Sequence, residues 1–166
     1  MNALKRPTDL LSDDHKEVLV RLSKMNEVLA SLDKKLDIEG LKEHGKFFKH
    51  DFWAHFDKEE KALFPEMEKF IPRDQGPIGV MLLEHKDLRE ANDKFQSALA
   101  ALVQDVNNAG AKQVIRHEGF TIIDVLQQHI HKEDNILFMM ANMHINDSQN
   151  KSMLEIFAQI DKEYGK

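Results

Sequence analysis

Residues 55–64 read HFDKEEKALF and residues 129–138 read HIHKEDNILF. The two stretches share His, Lys, Glu, Leu and Phe, and they differ conservatively at Phe56/Ile130 and Glu60/Asp134. Any two amphipathic helices share Leu63/Leu137 and Phe64/Phe138 through their apolar period. A glutamate repeated on the apolar face, four residues after a histidine, has no such explanation. Four residues turn an α-helix through 400°, so His55 and Glu59 project within about 40° of each other and roughly 6 Å apart along the axis. His129 and Glu133 do the same. Phe52 precedes His55 on that face, and Ile122 and Leu126 precede His129.

A second pair lies outside the first. His15-Lys16 and His85-Lys86 are 70 positions apart, close to the 74 that separate His55 from His129. The chain therefore reads as two helix pairs of similar design, each with His on its first helix and His-x-x-x-Glu on its second. Two such pairs related by a pseudo-two-fold axis bring the matched residues together near the middle of a bundle.

The surrounding spacing is helical throughout. The first apolar stripe is Leu11, His15, Val18, Leu22, Met25, Leu29, Leu32; the second is Phe48, Phe52, His55, Glu59, Ala62. The third is Ile78, Met81 or Leu82, His85, Leu88, Asn92, Phe95, Leu99, Leu102; the fourth is Gly119, Ile122, Leu126, His129, Glu133, Ile136, Met140. A shorter stripe, Met153, Phe157, Ile160, Tyr164, follows Ser148. Thr8 or Asp9 suits the cap of the first helix and Asp37 that of the second, while Pro77 suits a first turn. Asn107, Asn108 and Gly110 suit a helix end and turn. Pro65 predicts a bend or stop at residues 63–65. No strand-like run of β-branched residues appears. The expectation is all-α: an up-down-up-down four-helix bundle over about residues 9–143, within one domain of residues 1–166. A short extra C-terminal helix, about residues 148–163, is expected to pack across one end or to serve a partner, a second copy of the chain included.

Composition narrows the class. With 166 residues the chain is long enough to bury its own core. The formal net charge of −6 argues against a nucleic-acid binder, and no apolar run reaches the ~20 residues a membrane span needs. Cysteine is absent, which excludes disulfides, thiolate catalysis and iron–sulfur ligation. The N-terminus lacks the apolar core of a secretion signal, and the expected location is the cytoplasm.

Six ionisable residues, His15, His55, Glu59, His85, His129 and Glu133, thus share one apolar interior. Isolated buried charges and unpaired imidazoles are costly, and bound metal is the simplest compensation. Four imidazoles and two bridging carboxylates give each of two metals two nitrogens and one oxygen from each Glu, with a position left for a small ligand. An all-N/O set suits iron, with manganese or zinc as substitutes.

These motifs resemble the hemerythrin-like HHE cation-binding domains. The resemblance runs from about Asp9 to Met143 and rests on DDHKEV around His15, HFDKEEKALF, LLEHKDL around His85 and HIHKEDNILF. It implies a four-helix bundle with a non-haem di-iron centre that meets O2, NO or peroxide. It also implies that the same six residues are the ligands, with both carboxylates bridging. Oxygen-carrying members have a further His one turn after the third-helix His, where this sequence has Arg89, and end on an Asp that would fall at Asp134. The four-His, two-Glu set is more similar to bacterial di-iron proteins that repair iron–sulfur clusters. The resemblance therefore implies binding or sensing of O2 or NO. The alternative is an enzyme of nitrosative or oxidative stress defence that reduces NO or peroxide, or supplies iron for cluster repair. No residue apart from the ligands offers itself as a general acid or base, and an electron donor is not legible.

The remaining histidines fall elsewhere. His131 and His50 are expected to face solvent, His44 to be structural, and His117 and His144 to lie off the stripe. Glu60 and Asp134 are mirror-related acids read as surface residues, the alternative being that they support the ligands from outside. Phe56 and Ile130 are placed to flank the metals. Arg89 is expected near the His85 side, paired with Glu59, Glu133 or a bound anion, or else extended into solvent.

Overall fold

A computed structural model describes residues 4–166. Five helical rods make up the fold of the described residues. The first, α1, is Pro7–Ala30. The second, α2, is one continuous rod over residues 38–67, in which α-helical Ile38–Lys46, Trp53–Lys58 and Phe64–Met67 are joined by π turns at Phe47–Asp51 and Glu59–Leu63. A short 3-10 turn leads into α3, Pro77–Gln104, with Pro77 in the first turn as its fixed φ favours. The fourth rod, α4, covers residues 109–144 as Ala109–Lys132, a π turn at Glu133–Leu137, and Phe138–His144. The last, α5, is Asp147–Glu163.

In the bundle, α1 packs against α2 and α4, and α3 packs against the same two, so the four rods close a ring. Gly119 of α4 faces Leu29 of α1 so closely that a Cβ there would lie 2.6 Å from a leucine methyl, which makes it the point of close approach for the two helices. The interior has two apolar clusters. One holds Leu22, Met25, Phe52, Phe56, Leu88, Phe95 and Leu126; the other holds Leu11, Leu63, Phe64, Met81, Leu137 and Phe138. The histidines and glutamates of the repeat lie in the layer between them. Through Met153, Phe157 and Ile160, α5 closes over α2 and α1. It therefore covers one helix pair and not the other.

Local signals hold with three adjustments, one being that Gly110, expected in the turn, already lies in the first turn of α4. Asp37 caps α2 by accepting from Gly40 N–H at 2.9 Å, and Asn108 caps α4 by accepting from Ala111 N–H. The first helix starts earlier than expected, after Arg6, and Asp9 acts from inside its first turn by accepting from Arg6 N–H. Pro65 does not end α2. The π turn before it has already broken the i→i−4 ladder, so the missing N–H is absorbed one turn before the rod stops at Met67.

The π turns also move the buried stripe. Ile136 and Met140 are expected inside, but Ile136 is 53% exposed and Met140 only partly covered, while Leu137 and Ala141 are buried in their place. An i→i+5 turn holds one residue more than an α turn, so everything after Glu133 shifts by one position. The repeat mate of Ile136, Ala62, stays buried because α5 lies over that side.

This register predicts unequal alanine costs. Leu137→Ala should lower unfolding free energy by roughly 2–5 kcal/mol, and Ile136→Ala by no more than about 0.5 kcal/mol, in urea titrations. A larger cost at Ile136 would mean the α-helical register continues through Glu133.

Candidate metal centre

The backbone delivers each of the six residues inward. His15 of α1 and His85 of α3 occupy the buried stripes of ordinary α-helices. On α2 and α4, His55 and His129 sit just before a π turn, and Glu59 and Glu133 are its first residues. Successive side chains in a turn closed by an i→i+5 bond are rotated by less than the α-helical 100°. Glu59 and Glu133 therefore point into the bundle while their neighbours Glu60 and Asp134 reach sideways along its inner wall.

Each imidazole is held from outside by a carboxylate. His15 Nδ1 meets Asp134 Oδ1 at 2.8 Å, His55 Nδ1 meets Asp14 Oδ2 at 3.1 Å, His85 Nδ1 meets Glu60 Oε1 at 2.7 Å, and His129 Nδ1 meets Glu84 Oε2 at 2.8 Å. Every one of these contacts joins neighbouring rods, so they form a closed circuit: α1 to α2, α2 to α3, α3 to α4, and α4 back to α1. A carboxylate only accepts, so Nδ1–H donates in each case and Nε2 of a neutral ring keeps its lone pair, aimed inward.

The inner faces then present donor atoms to one another. The Nε2 atoms of His15 and His55 lie 3.0 Å apart, and those of His85 and His129 lie 3.2 Å apart. Glu59 spans the two pairs, with Oε1 2.8 Å from His55 Nε2 and Oε2 3.0 Å from His85 Nε2. Glu133 does the same, with Oε2 3.1 Å from His15 Nε2 and Oε1 3.1 Å from His129 Nε2. These are ion-pair distances without hydrogen-bond alignment: all four carboxylate oxygens are buried and lack a hydrogen-bond partner. Lone pairs facing lone pairs in an apolar interior are unfavourable unless a metal cation or a proton lies between them. The arrangement offers two such places. One is bounded by His15, His55, Glu59 and Glu133 and the other by Glu59, His85, His129 and Glu133, with the donor atoms of each set within 4.8 Å of one another. An N/O donor set of this kind fits a pair of first-row transition metals, with both glutamates shared.

Electrostatics point the same way. Burial pushes His55 down, but the charge of Glu59 and the contacts with Asp14 and Glu59 prevail and hold its imidazole up at about 10. For His129, burial is likewise overcome by Glu133 and Glu84, and the ring titrates at about 10. His15 is raised as well, its burial outweighed by Asp134 and Glu133. Burial would raise Glu133, but His129 and His15 hold it well below the usual carboxylate range. The site thus draws positive charge strongly, and protons compete with metal for it.

Aromatic rings seal the layer. Phe56 stacks on His85 with centroids 3.6 Å apart, and the repeat mates Phe64 and Phe138 stack on His85 and His15 at 5.7 and 5.5 Å. Ile130, the mate of Phe56, is also buried.

Some expectations need revising. Glu60 and Asp134, read mainly as surface acids, are the partners of His85 and His15. Arg89 reaches neither inner glutamate. Its guanidinium takes Glu60 in a two-pronged grip at 2.9 and 3.2 Å, and this with His85 holds Glu60 at about 2 against the upward push of burial. Asp14 and Glu84 are additions, and their signal was present: an acid immediately precedes each first-helix histidine, in Asp14-His15 and Glu84-His85. The other histidines lie where expected. His50, His117, His131 and His144 are exposed, and His44 is buried outside both donor sets.

The titrations give a signed prediction for metal-free protein. The stabilisation tied to protonated His55 and His129 is fully present below about pH 6.5 and is lost as pH rises toward 10. That tied to ionised Glu133 is present above about pH 4.5 and is lost on acidification. The melting temperature of the metal-free protein should therefore fall from pH 6.5 to 10, and the rise on adding metal should grow over the same window. A flat profile in calorimetry would mean the six groups are not buried together.

Comparison with known proteins places this geometry. The hemerythrin HHE cation-binding domain model matches residues 6–141. Curated relatives include the iron-sulfur cluster repair protein YtfE of Dickeya chrysanthemi (strain Ech1591), 33% identical over 133 residues, covering 78% of this chain and 60% of the relative. The same-named protein of Musicola paradisiaca (strain Ech703) is 30% identical over 132 residues, covering 78% and 60%. That of Enterobacter sp. (strain 638) is 27% identical over 126 residues, covering 75% and 56%. The chain matches less than two thirds of the length of these relatives. No solved structure gives a significant match. The family match spans the four bundle rods up to Ala141 and includes both His–Glu repeats, and the chain belongs to the hemerythrin HHE cation-binding domain family.

Proposed function

We propose that the protein holds two iron ions between His15, His55, Glu59, His85, His129 and Glu133, with manganese or zinc as substitutes, and that the pair binds a diatomic gas, NO or O2. The observation that carries this reading is the set of four buried carboxylate oxygens without partners, facing four imidazole nitrogens whose other side is already committed. When bound, iron supplies a redox-active Lewis acid with coordination positions that the protein leaves unfilled.

The residues of the chain define what such a centre meets. Each metal position has four protein donors, fewer than iron commonly takes. Arg89 stands where the oxygen carriers have their extra His, and its guanidinium is engaged with Glu60 and cannot coordinate. Phe56, Phe64, Phe138 and Ile130 exclude bulk water, which admits a small apolar gas more readily than a charged substrate. The outer carboxylates fix the imidazole tautomer and raise its basicity toward metal. With no fifth histidine, O2 is expected to oxidise the reduced centre rather than to be carried reversibly, which favours NO binding and sensing. We propose the cytoplasm as the location; among the described residues no helix is long and apolar enough to cross a membrane.

A second reading has one observation in its favour: the relatives are named for iron–sulfur cluster repair. In that reading the protein supplies iron or acts on NO or peroxide in stress defence, with an electron donor from outside the chain.

Anaerobic loading with iron(II), followed by metal analysis and NO titration under an optical spectrum, tests the proposal. Two irons per chain and a saturable NO-dependent absorption change are expected. One iron or none would contradict it. His129→Ala should lose at least one metal, whereas His131→Ala, on the exposed side of the same helix, should keep both. Equal behaviour of the two variants would show that the facing of α4 is wrong.

A further inference from the structure

The pseudo-two-fold repeat is broken at one contact. Lys58 and Lys132 are repeat mates, each three residues after its histidine. Lys132 reaches Glu84, the acid that holds His129. By symmetry Lys58 belongs on Asp14, the acid that holds His55. It turns instead to α5, where Nζ lies 2.8 Å from Asp161 Oδ1 and 5.5 Å from the Phe157 ring. Among the described residues no lysine or arginine pairs with Asp14.

The consequence is an uneven outer shell. The position bounded by His85 and His129 has both outer acids gripped by cations, Glu60 by Arg89 and Glu84 by Lys132. The position bounded by His15 and His55 has a serine hydroxyl on Asp134 and no cation on Asp14. Asp14 is 42% exposed against 17% for Glu84, and its bond to histidine is longer, 3.1 against 2.8 Å. A cavity of about 450 Å³ opens on this side, lined by Asp14, His55, Lys58, Asp161 and Lys166 among others. Lys58 and Asp14 share that cavity, so a lysine released from Asp161 has its symmetry-expected partner beside it.

We infer that the two metal positions are unequal and that α5 makes them so: by holding Lys58 on Asp161 it leaves the Asp14–His55 contact unbraced, and the His15/His55 position exchanges its metal first. An imidazole whose outer acid is loosely anchored swings away from metal more readily, and outer partners of this kind change metal binding by about 10–100-fold. Asp161 is a positioning residue here, acting through Lys58 and Asp14 and touching no ligand.

This inference rests on the two-metal reading, and the experiment separates the two. The full chain is loaded with zinc, checked for two ions per chain, and mixed with excess chelator while metal release is followed. The expected release has two phases of equal amplitude. In Asp161→Asn the fast phase should slow by about tenfold or more, because Lys58 moves to Asp14. In the double variant Lys58→Met, Asp161→Asn the fast phase should return, since Lys58, the lysine that Asp161 releases, is no longer there to move. Binding of fewer than two ions overturns both readings. Two ions lost at one rate overturn the inference alone, as does an Asp161→Asn fast phase that is unchanged, accelerated, or slowed equally with and without Lys58. Circular dichroism of each variant before loading confirms that α5 is still folded.

Discussion

Six ionisable groups buried in one layer between two apolar clusters set the terms for this molecule. Without compensation the layer would be among the least stable places in the bundle, because each imidazole and carboxylate gives up water on entering it. The compensation comes from two directions. Outside, four carboxylates, Asp14, Glu60, Glu84 and Asp134, tie the four imidazoles in a circuit that passes once through every rod of the bundle. Inside, Glu59 and Glu133 place opposed donor atoms around two positions that a metal cation, or protons on the imidazoles, would resolve. Fold and candidate site are thus one construction: the helix ring positions the six residues, and the layer they form links the rods.

The π turns carry the half of this arrangement that α2 and α4 supply. On α1 and α3 the α-helical step of 100° sets an outer acid just before each inward histidine, Asp14 before His15 and Glu84 before His85; on α2 and α4 the outer acid follows the inner glutamate, and the step between them falls in a π turn. The wider turn lets the inner glutamate enter the centre and the outer acid reach the imidazole on the next rod. It also costs the helix its regular register, which is tolerated because the downstream stripe re-forms on Leu137 and Ala141. π turns recur at functional sites, and of the three among the described residues two begin at a repeated inner glutamate.

Much of this was legible in the sequence. The repeat HFDKEEKALF/HIHKEDNILF with paired His15 and His85 was enough to give the helix pairs, the bundle, and the six residues that the structure brings together. Asp37 and Pro77 marked helix starts correctly. What was missed follows from the assumption of an uninterrupted α period. An unbroken α period places Ile136 inside, makes Pro65 a bend or a stop, and points Glu60 and Asp134 mainly at the surface. Asp14 and Glu84 escaped notice because a residue adjacent to an inward histidine should face away; it does, onto the neighbouring helix. The grip of Arg89 on Glu60 depends on the distance between α2 and α3, which no local pattern encodes.

The repeat also shows where the two halves have diverged. A fifth helix lies over one pair and not the other, so Ala62 is buried while Ile136 is exposed, and Lys58 faces Asp161 while Lys132 faces Glu84. The central claim remains that the two donor sets form a single centre joined by Glu59 and Glu133. X-ray absorption at the iron edge of the iron-loaded protein tests it most directly. The account predicts a nitrogen/oxygen shell with about two imidazoles per iron together with an iron–iron scattering path. An iron-loaded sample with no metal–metal path, or with a shell lacking imidazole, would contradict it.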